Sequence, residues 1–206
     1  MNLAEAVATA PRRQISGPFW HQGPTRHTLT SCADPADGPG RYHRTGDPGV
    51  WYGSSQEQAA WAELFRHFVD GGVDPFEVRR RVGRAYVALE VLDLTNAAVR
   101  AHLSVDEPDL MGDDYSTTQA IVGAARDAGF HAVLAPAVAL PGRETLAVFA
   151  HALPSVQAER SEIRQPPPRL AELLPLIRIH ERAPEAVRRL YRTLAGAGAE
   201  AIRRRR

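Results

Sequence analysis

The chain has 206 residues, is 44% hydrophobic and 24% charged, and carries a formal net charge of +1, the composition of a globular protein somewhat long for one domain and short for two. One cysteine, Cys32, excludes a disulfide framework, and it has no close Cys or His partner at zinc-like spacing. No apolar run is long enough to cross a bilayer, and the opening MNLAEAVATAPRRQ lacks the basic start and long apolar stretch of a signal peptide, so a cytoplasmic protein is expected.

Up to Gly17 the pattern gives little firm signal. From Phe19 to Gly49 the chain is rich in Gly, Pro, Asp, Thr and His, with ADPADGPG at its centre, which predicts loops joining short strands. Irregular stretches of that length inside a compact domain are often functional. Val50 to Gly53 (VWYG) predicts a short buried strand. The next segment, SSQEQAAWAELFRHFVDGG, predicts a helix capped by Ser54 or Ser55 with Glu57 or Gln58 three residues on, and ended by Gly71-Gly72. Trp61, Leu64, Phe65 and Phe68 recur at helical spacing and make its core face. At about 100° per residue Glu63 points away from that face and shares its side with Ala59 and His67. Small Ala59 and Ala60 would leave room for a ligand beside the carboxylate.

Arg84 to Leu94 (RAYVALEVLDL) is apolar on both faces and predicts an interior strand. A second helix is predicted from about Thr117 to Ala128, with Ser116 and Gln119 as a capping box and Gly129 at its end. FHAVLAPAV and ETLAVFAH predict two more strands split by the turn LPGR. QPPPR (Gln165 to Arg169) is a semi-rigid break, followed by helical segments around Leu170–His180 and Pro184–Ile202, with Leu190 and Leu194 on an apolar face. The expected fold class is α+β, with short strands, packed helices and a helical C-terminal extension. The expected division is 1–163 for the main domain and 164–206 for the extension.

Charge is segregated along this plan. From Pro167 to Arg206 there are ten arginines and four glutamates, a net of +6, which leaves −5 for the rest; lysine is absent throughout. Arg203 to Arg206 make a basic end, but no recognition motif accompanies them, so direct nucleic-acid binding is not expected.

Arg41, Tyr52 and Glu63 stand at even spacings of eleven residues in GRYHRTGDPGVWYGSSQEQAAWAE, in a strand-then-helix order that sets Tyr52 and Glu63 side by side. With Gly40-Arg41-Tyr42, Gly46, Gly49, Trp51-Tyr52-Gly53-Ser54 and Ala60-Trp61-Ala62-Glu63, the segment resembles the RES-domain family, the toxin half of Xre–RES toxin–antitoxin pairs. DDYSTTQAIVGAARDAGFHAVLAP is similar to the family's second region, and the resemblance covers roughly Phe19 to Ala150. It implies a core like that of ADP-ribosyltransferases and an NAD glycohydrolase or phosphorylase with NAD as substrate and no metal. It also implies a Xre-type helix-turn-helix antitoxin as partner, and leaves self-assembly open.

Carried onto this chain, Glu63, Arg41 and Tyr52 are the catalytic candidates, and His21, Arg41, Tyr52 and Ser54 the NAD-binding ones. Arg41 would hold a phosphate or ribose, since its planar fork suits an oxyanion. Tyr52 would stack on nicotinamide or bond a ribose hydroxyl. Glu63 would bond the nicotinamide ribose and stabilise the oxocarbenium-like charge as the C1–nicotinamide bond breaks. Two positions depart from the family pattern. His21 stands where an arginine is expected on the first strand, with Arg26 as a second candidate, and Ala137 stands where the family has its serine. Transfer of ADP-ribose to a macromolecule, or NAD binding without turnover, are the alternative functions these departures suggest.

Overall fold

In the computed structural model the described residues are 2–33, 38–70, 73, 75–179, and 185, 188, 189, 192, 193 and 196. The centre of ADPADGPG, the Phe68 side chain, Gly71-Gly72, most of Pro184–Ile202 with Leu190 and Leu194, and the four terminal arginines lie outside them. Among the described residues no helix is long and apolar enough to cross a membrane.

Five strands close into a ring. Arg12–Gly23 (β1) runs antiparallel to Arg80–Asp93 (β3) from Arg12↔Leu92 to Gly23↔Arg81. Val50–Ser54 (β2) joins β1 at Trp20↔Ser54 and pairs along its length with Glu144–Phe149 (β5). Ala132–Pro136 (β4) pairs antiparallel with β5 and parallel with the end of β3, completing the circuit. Val156–Arg164 (β6) adds to the first half of β3 as an edge.

Alternation sends each strand's residues to two cores. Phe19, Trp51, Val87, Leu89, Leu134, Leu146 and Val148 form a cluster without α-helical members, which fills the ring. Val50, Leu92, Val133, Ala147 and Phe149 face the helices instead. Leu3–Ala8 (α1), Ala97–Leu103 (α3), Glu107–Met111 (α4) and Ser116–Asp127 (α5) cover that face with Val7, Val99, Leu110, Ile121 and Val122. Gly129, at φ +79°, closes α5 with its amide on the Arg126 carbonyl, a backbone turn that a side chain would strain.

The expected strands at VWYG, RAYVALEVLDL and on both sides of LPGR are present. Strand β1 and the edge strand β6 are the largest departures. In β1 only Phe19 and Gly23 are buried, and in β6 only Val156, so neither carries an apolar alternation; hydrogen bonding to β3 makes them strands.

Glu57–Asp70 (α2) corrects the expectation of a single core face. Ala59 to Ala62, Leu64, Phe65 and Arg66 are all buried, because the helix lies between the ring and the chain's later part. Leu170, Leu174 and Ile177 pack on Trp61, Leu64 and Phe65. Pro168–Leu176 winds as a 3-10 helix rather than an α-helix, in keeping with prolines at both ends of it. Neither predicted capping box forms around a serine. Helix α2 starts at Glu57, and the Ser55 hydroxyl accepts from the Glu144 amide instead (3.1 Å). In α5 the cap position is Tyr115, and Ser116 is already inside the helix.

Candidate active site

The loop from Gly38 to Gly49 has almost no ladder of its own: a single bridge joins Gly40 and His43. Helix α5 binds its carbonyls. Thr118 Oγ1 donates to the Arg41 carbonyl (2.8 Å), and Gln119 Nε2 donates to Gly40 (2.9 Å) and His43 (3.2 Å). Gln119 is thus the loop's anchor and not a helix cap. His43 Nε2 lies 3.1 Å from the Gly38 carbonyl and must donate to it, which makes Nδ1 the acceptor of a 2.8 Å bond from the Tyr52 hydroxyl. The Tyr52 oxygen in turn accepts from the Tyr42 amide (3.4 Å). Gly40 is required by this packing: a Cβ there would stand 2.4 Å from the His43 ring.

Loop, sheet and α2 enclose a cleft of about 420 Å³. All four expected binding residues line it, and so does Glu63. The residues the sequence spaced evenly are therefore brought together, but each in a particular state. Arg41 Nη1 donates to the carbonyls of Leu110 (2.8 Å) and Gly112 (2.7 Å), and the guanidinium lies 4.5 Å from the Tyr115 ring centre. Its plane is fixed before any ligand arrives. Tyr52 offers its ring to the cleft, while its hydroxyl is held in the loop; burial, with Tyr42 and Glu63 nearby, pushes that hydroxyl well above the usual tyrosine range. Glu63 is half-buried and accepts from the Ala139 amide (3.3 Å).

His21 donates through Nδ1 to the Tyr52 carbonyl (2.7 Å) and stacks on Trp51. Burial lowers its pKa to about 4, outweighing that bond, so the ring is neutral and Nε2 is an acceptor. Where an arginine would only donate, Nε2 of His21 can receive a ribose hydroxyl or amide proton. Arg26 is exposed and does not line the cleft.

Several lining residues escaped the sequence reading. Arg66 is buried on α2, one turn beyond Glu63, and pairs with Asp113. Arg80, at the start of β3, donates to Gln22 Oε1 (2.8 Å); burial, then the nearby Arg26 charge, lowers its pKa to about 10, still a cation at neutral pH. Arg41 and Arg80 make the cleft cationic around the Glu63 carboxylate, while Arg66 is matched by Asp113. Thr145 on β5 sits between Ser54 and Ala135 across the sheet, and its buried hydroxyl has no hydrogen-bond partner among the described residues. Ala137 lacks a hydroxyl and is buried with its amide on the Arg143 carbonyl (2.7 Å), so the buried hydroxyls of this wall are those of Ser54 and Thr145. Neither the arginines nor the threonine stood in a recognisable pattern. Alternation along β5, once its register to β2 was known, was the one signal pointing to Thr145.

The sequence profile of the RES domain matches residues 9–171. A Mycobacterium tuberculosis protein named "Probable NAD(+) phosphorylase" is 74% identical over 206 residues, spanning 100% of both chains. The fold is similar to a chain in the crystal structure of the M. tuberculosis MbcT–MbcA toxin–antitoxin complex, with a TM-score of 0.72 and 23% identity over 84% of this chain and 96% of that one. The segment around Arg41, Tyr52 and Glu63, the second region from Asp113 to Pro136 and the profile match agree: this chain belongs to the RES-domain family.

Proposed function

We propose that the protein degrades NAD by phosphorolysis, releasing nicotinamide and leaving ADP-ribose joined to phosphate. One observation carries the reading: a half-buried carboxylate, Glu63, faces a cleft otherwise charged by Arg41 and Arg80, while the charge of Arg66 is matched by Asp113. The name of the 74% identical relative supports the same reaction. Arginines suit the pyrophosphate of NAD and an incoming phosphate, which they bind by charge-assisted hydrogen bonds. The carboxylate suits the positive charge that grows on the ribose ring as its bond to nicotinamide lengthens. A phosphate oxygen forms the new bond to C1 of that ribose. Nicotinamide departs with the electron pair of the broken bond, which neutralises its own ring, so no general acid is needed. The Arg41 guanidinium, clamped by two carbonyls and Tyr115, needs no reorientation as the substrate binds. The neutral His21 Nε2 accepts from a ribose hydroxyl or the carboxamide.

The reading extends to a toxin restrained by a small protein antitoxin of the Xre helix-turn-helix type, and to kinship of the core with ADP-ribosyltransferases. The fold shared with a chain of a toxin–antitoxin complex supports the first. The cleft between the closed sheet and α2 supports the second. The test is to incubate purified protein with NAD, with and without phosphate, and follow nicotinamide and the ribosyl product. Nicotinamide release that depends on phosphate and vanishes in Glu63→Gln is expected. Equal rates with water alone would replace phosphorolysis by hydrolysis, and inertness of the wild type would remove catalysis.

A further inference from the structure

Glu63 is held from behind by a closed circuit. Its carboxylate accepts from the Ala139 amide (3.3 Å), the Ala139 carbonyl accepts from the Arg178 amide (3.0 Å), and the Arg178 carbonyl accepts from Arg66 Nη1 (3.2 Å). Since Arg66 is one turn beyond Glu63, the path leaves α2 and returns to it. The other terminal nitrogen of Arg66 pairs with Asp113. Asp113 follows Gly112, whose carbonyl, together with that of Leu110, fixes Arg41. One buried guanidinium thereby joins the helix of the carboxylate, the chain that clamps Arg41, and the segment after the 3-10 helix.

The chemistry of the group explains why arginine stands there. Its planar fork reaches two acceptors on different segments at once, which an ammonium cannot do in a fixed geometry. A buried ion pair is poor at adding stability over an apolar pair of similar volume, and its attested use is to fix one arrangement. We infer that Arg66 is a positioning residue: it sets Glu63 and Arg41 relative to each other, with Arg178 of the C-terminal extension as part of the device. The kinetic side of this inference rests on the NAD-cleavage reading, and the structural side on the circuit alone.

The test uses the full-length Arg66→Met/Asp113→Asn variant, which removes both charges together and so avoids a lone buried ion, and Arg66→Lys, which keeps charge but loses the fork. Three quantities are read: kcat for nicotinamide release, NAD affinity by calorimetry, and hydrogen exchange at the Ala139 and Arg178 amides. The double variant is expected to lose about tenfold or more in kcat, to keep NAD affinity within about threefold, and to exchange both amides about tenfold faster. Arg66→Lys should show the same pattern to a smaller degree, and supplies all three readings if the double variant fails to fold. Unchanged kcat with unchanged exchange would overturn the inference. So would a large loss of NAD affinity at constant kcat, which would make Arg66 a direct substrate ligand. If the wild type leaves NAD intact, the proposed function falls, and amide exchange alone decides the circuit.

Discussion

Two parts of the cleft wall are built on opposite principles. The β1–β3 pair is a backbone ladder of twelve matched residues, and Arg12 to Gln14 on it are exposed, with side chains that reach Glu90 and Asp93 on β3. The Gly38–Gly49 loop has one small bridge, and side chains from distant elements bind its carbonyls: Thr118, Gln119 and, through His43, Tyr52. A ladder survives substitution because its bonds belong to the backbone. A loop hung on three or four side chains does not, and in return it can place Arg41 and Tyr52 against a cleft. The helix-facing core underlies both and should govern stability alone.

That division can be broken by experiment. The largest effect is expected in the core: Ile121→Ala removes most of a fully buried side chain and should cost about 2–5 kcal/mol of unfolding free energy. Denaturant melts would measure it, and kcat of the folded fraction should stay at the wild-type value. Glu63→Gln should do the reverse, with a loss of about a hundredfold or more in nicotinamide release and little change in the melt. If both variants lose stability and rate in parallel, core and site are not separable as described.

Within the wall, Gln119→Leu leaves the carbonyls of Gly40 and His43 without their shared donor. A cost of about 1–3 kcal/mol is expected, together with faster amide exchange confined to the loop and weaker NAD binding. Tyr52→Phe leaves the Tyr42 amide and His43 Nδ1 unpaired while keeping the ring; a smaller cost of about 1 kcal/mol is expected. A Tyr52→Phe enzyme with normal stability and no activity would instead give the hydroxyl a role in chemistry, against its present bonding.

The smallest effect concerns pH. His21 is neutral in the folded protein down to about pH 4 but takes up a proton near pH 6.5 when unfolded. The unfolded chain therefore binds more protons between those values, so this group's contribution to stability is complete above about pH 6.5, declines as pH falls, and stops declining near pH 4. Replacing His21 with Gln should flatten that part of the stability–pH curve. An unaltered slope would show that the ring is not held neutral.

How far the sequence could be read follows from the same contrast. Strands β2, β4 and β5 announced themselves because both faces are buried and the chain is continuously apolar there; β3 did so by its apolar run, although its expected burial on both faces fails at Tyr86 and Ala88, which are exposed. Helix α2 was legible from its 3.6-residue period, although its burial on nearly all sides was not. Strand β1 was invisible: residues such as Arg12, Arg13 and Gln14 form a strand because β3 offers them hydrogen-bond partners 76 to 80 residues away, at Glu90 to Leu92. Among the residues lining the cleft, Arg41, Tyr52 and Glu63 were singled out by the family resemblance of their segment. Arg66, Arg80 and Thr145 were not, since each belongs to the cleft only by virtue of what folds opposite it.

By itself, then, the sequence determined the family, the segment that carries the carboxylate and the local elements whose apolar pattern is self-sufficient. Tertiary structure decided the protonation and direction of His21, the commitment of the Tyr52 hydroxyl to His43, and the circuit from Glu63 through Ala139 and Arg178 to Arg66. The physical reason is one of range. Hydrophobic periodicity is written in consecutive residues, whereas a hydrogen-bond partner, a neighbouring charge or a desolvated ring nitrogen depends on residues that only the closed fold brings within about 3 Å of each other.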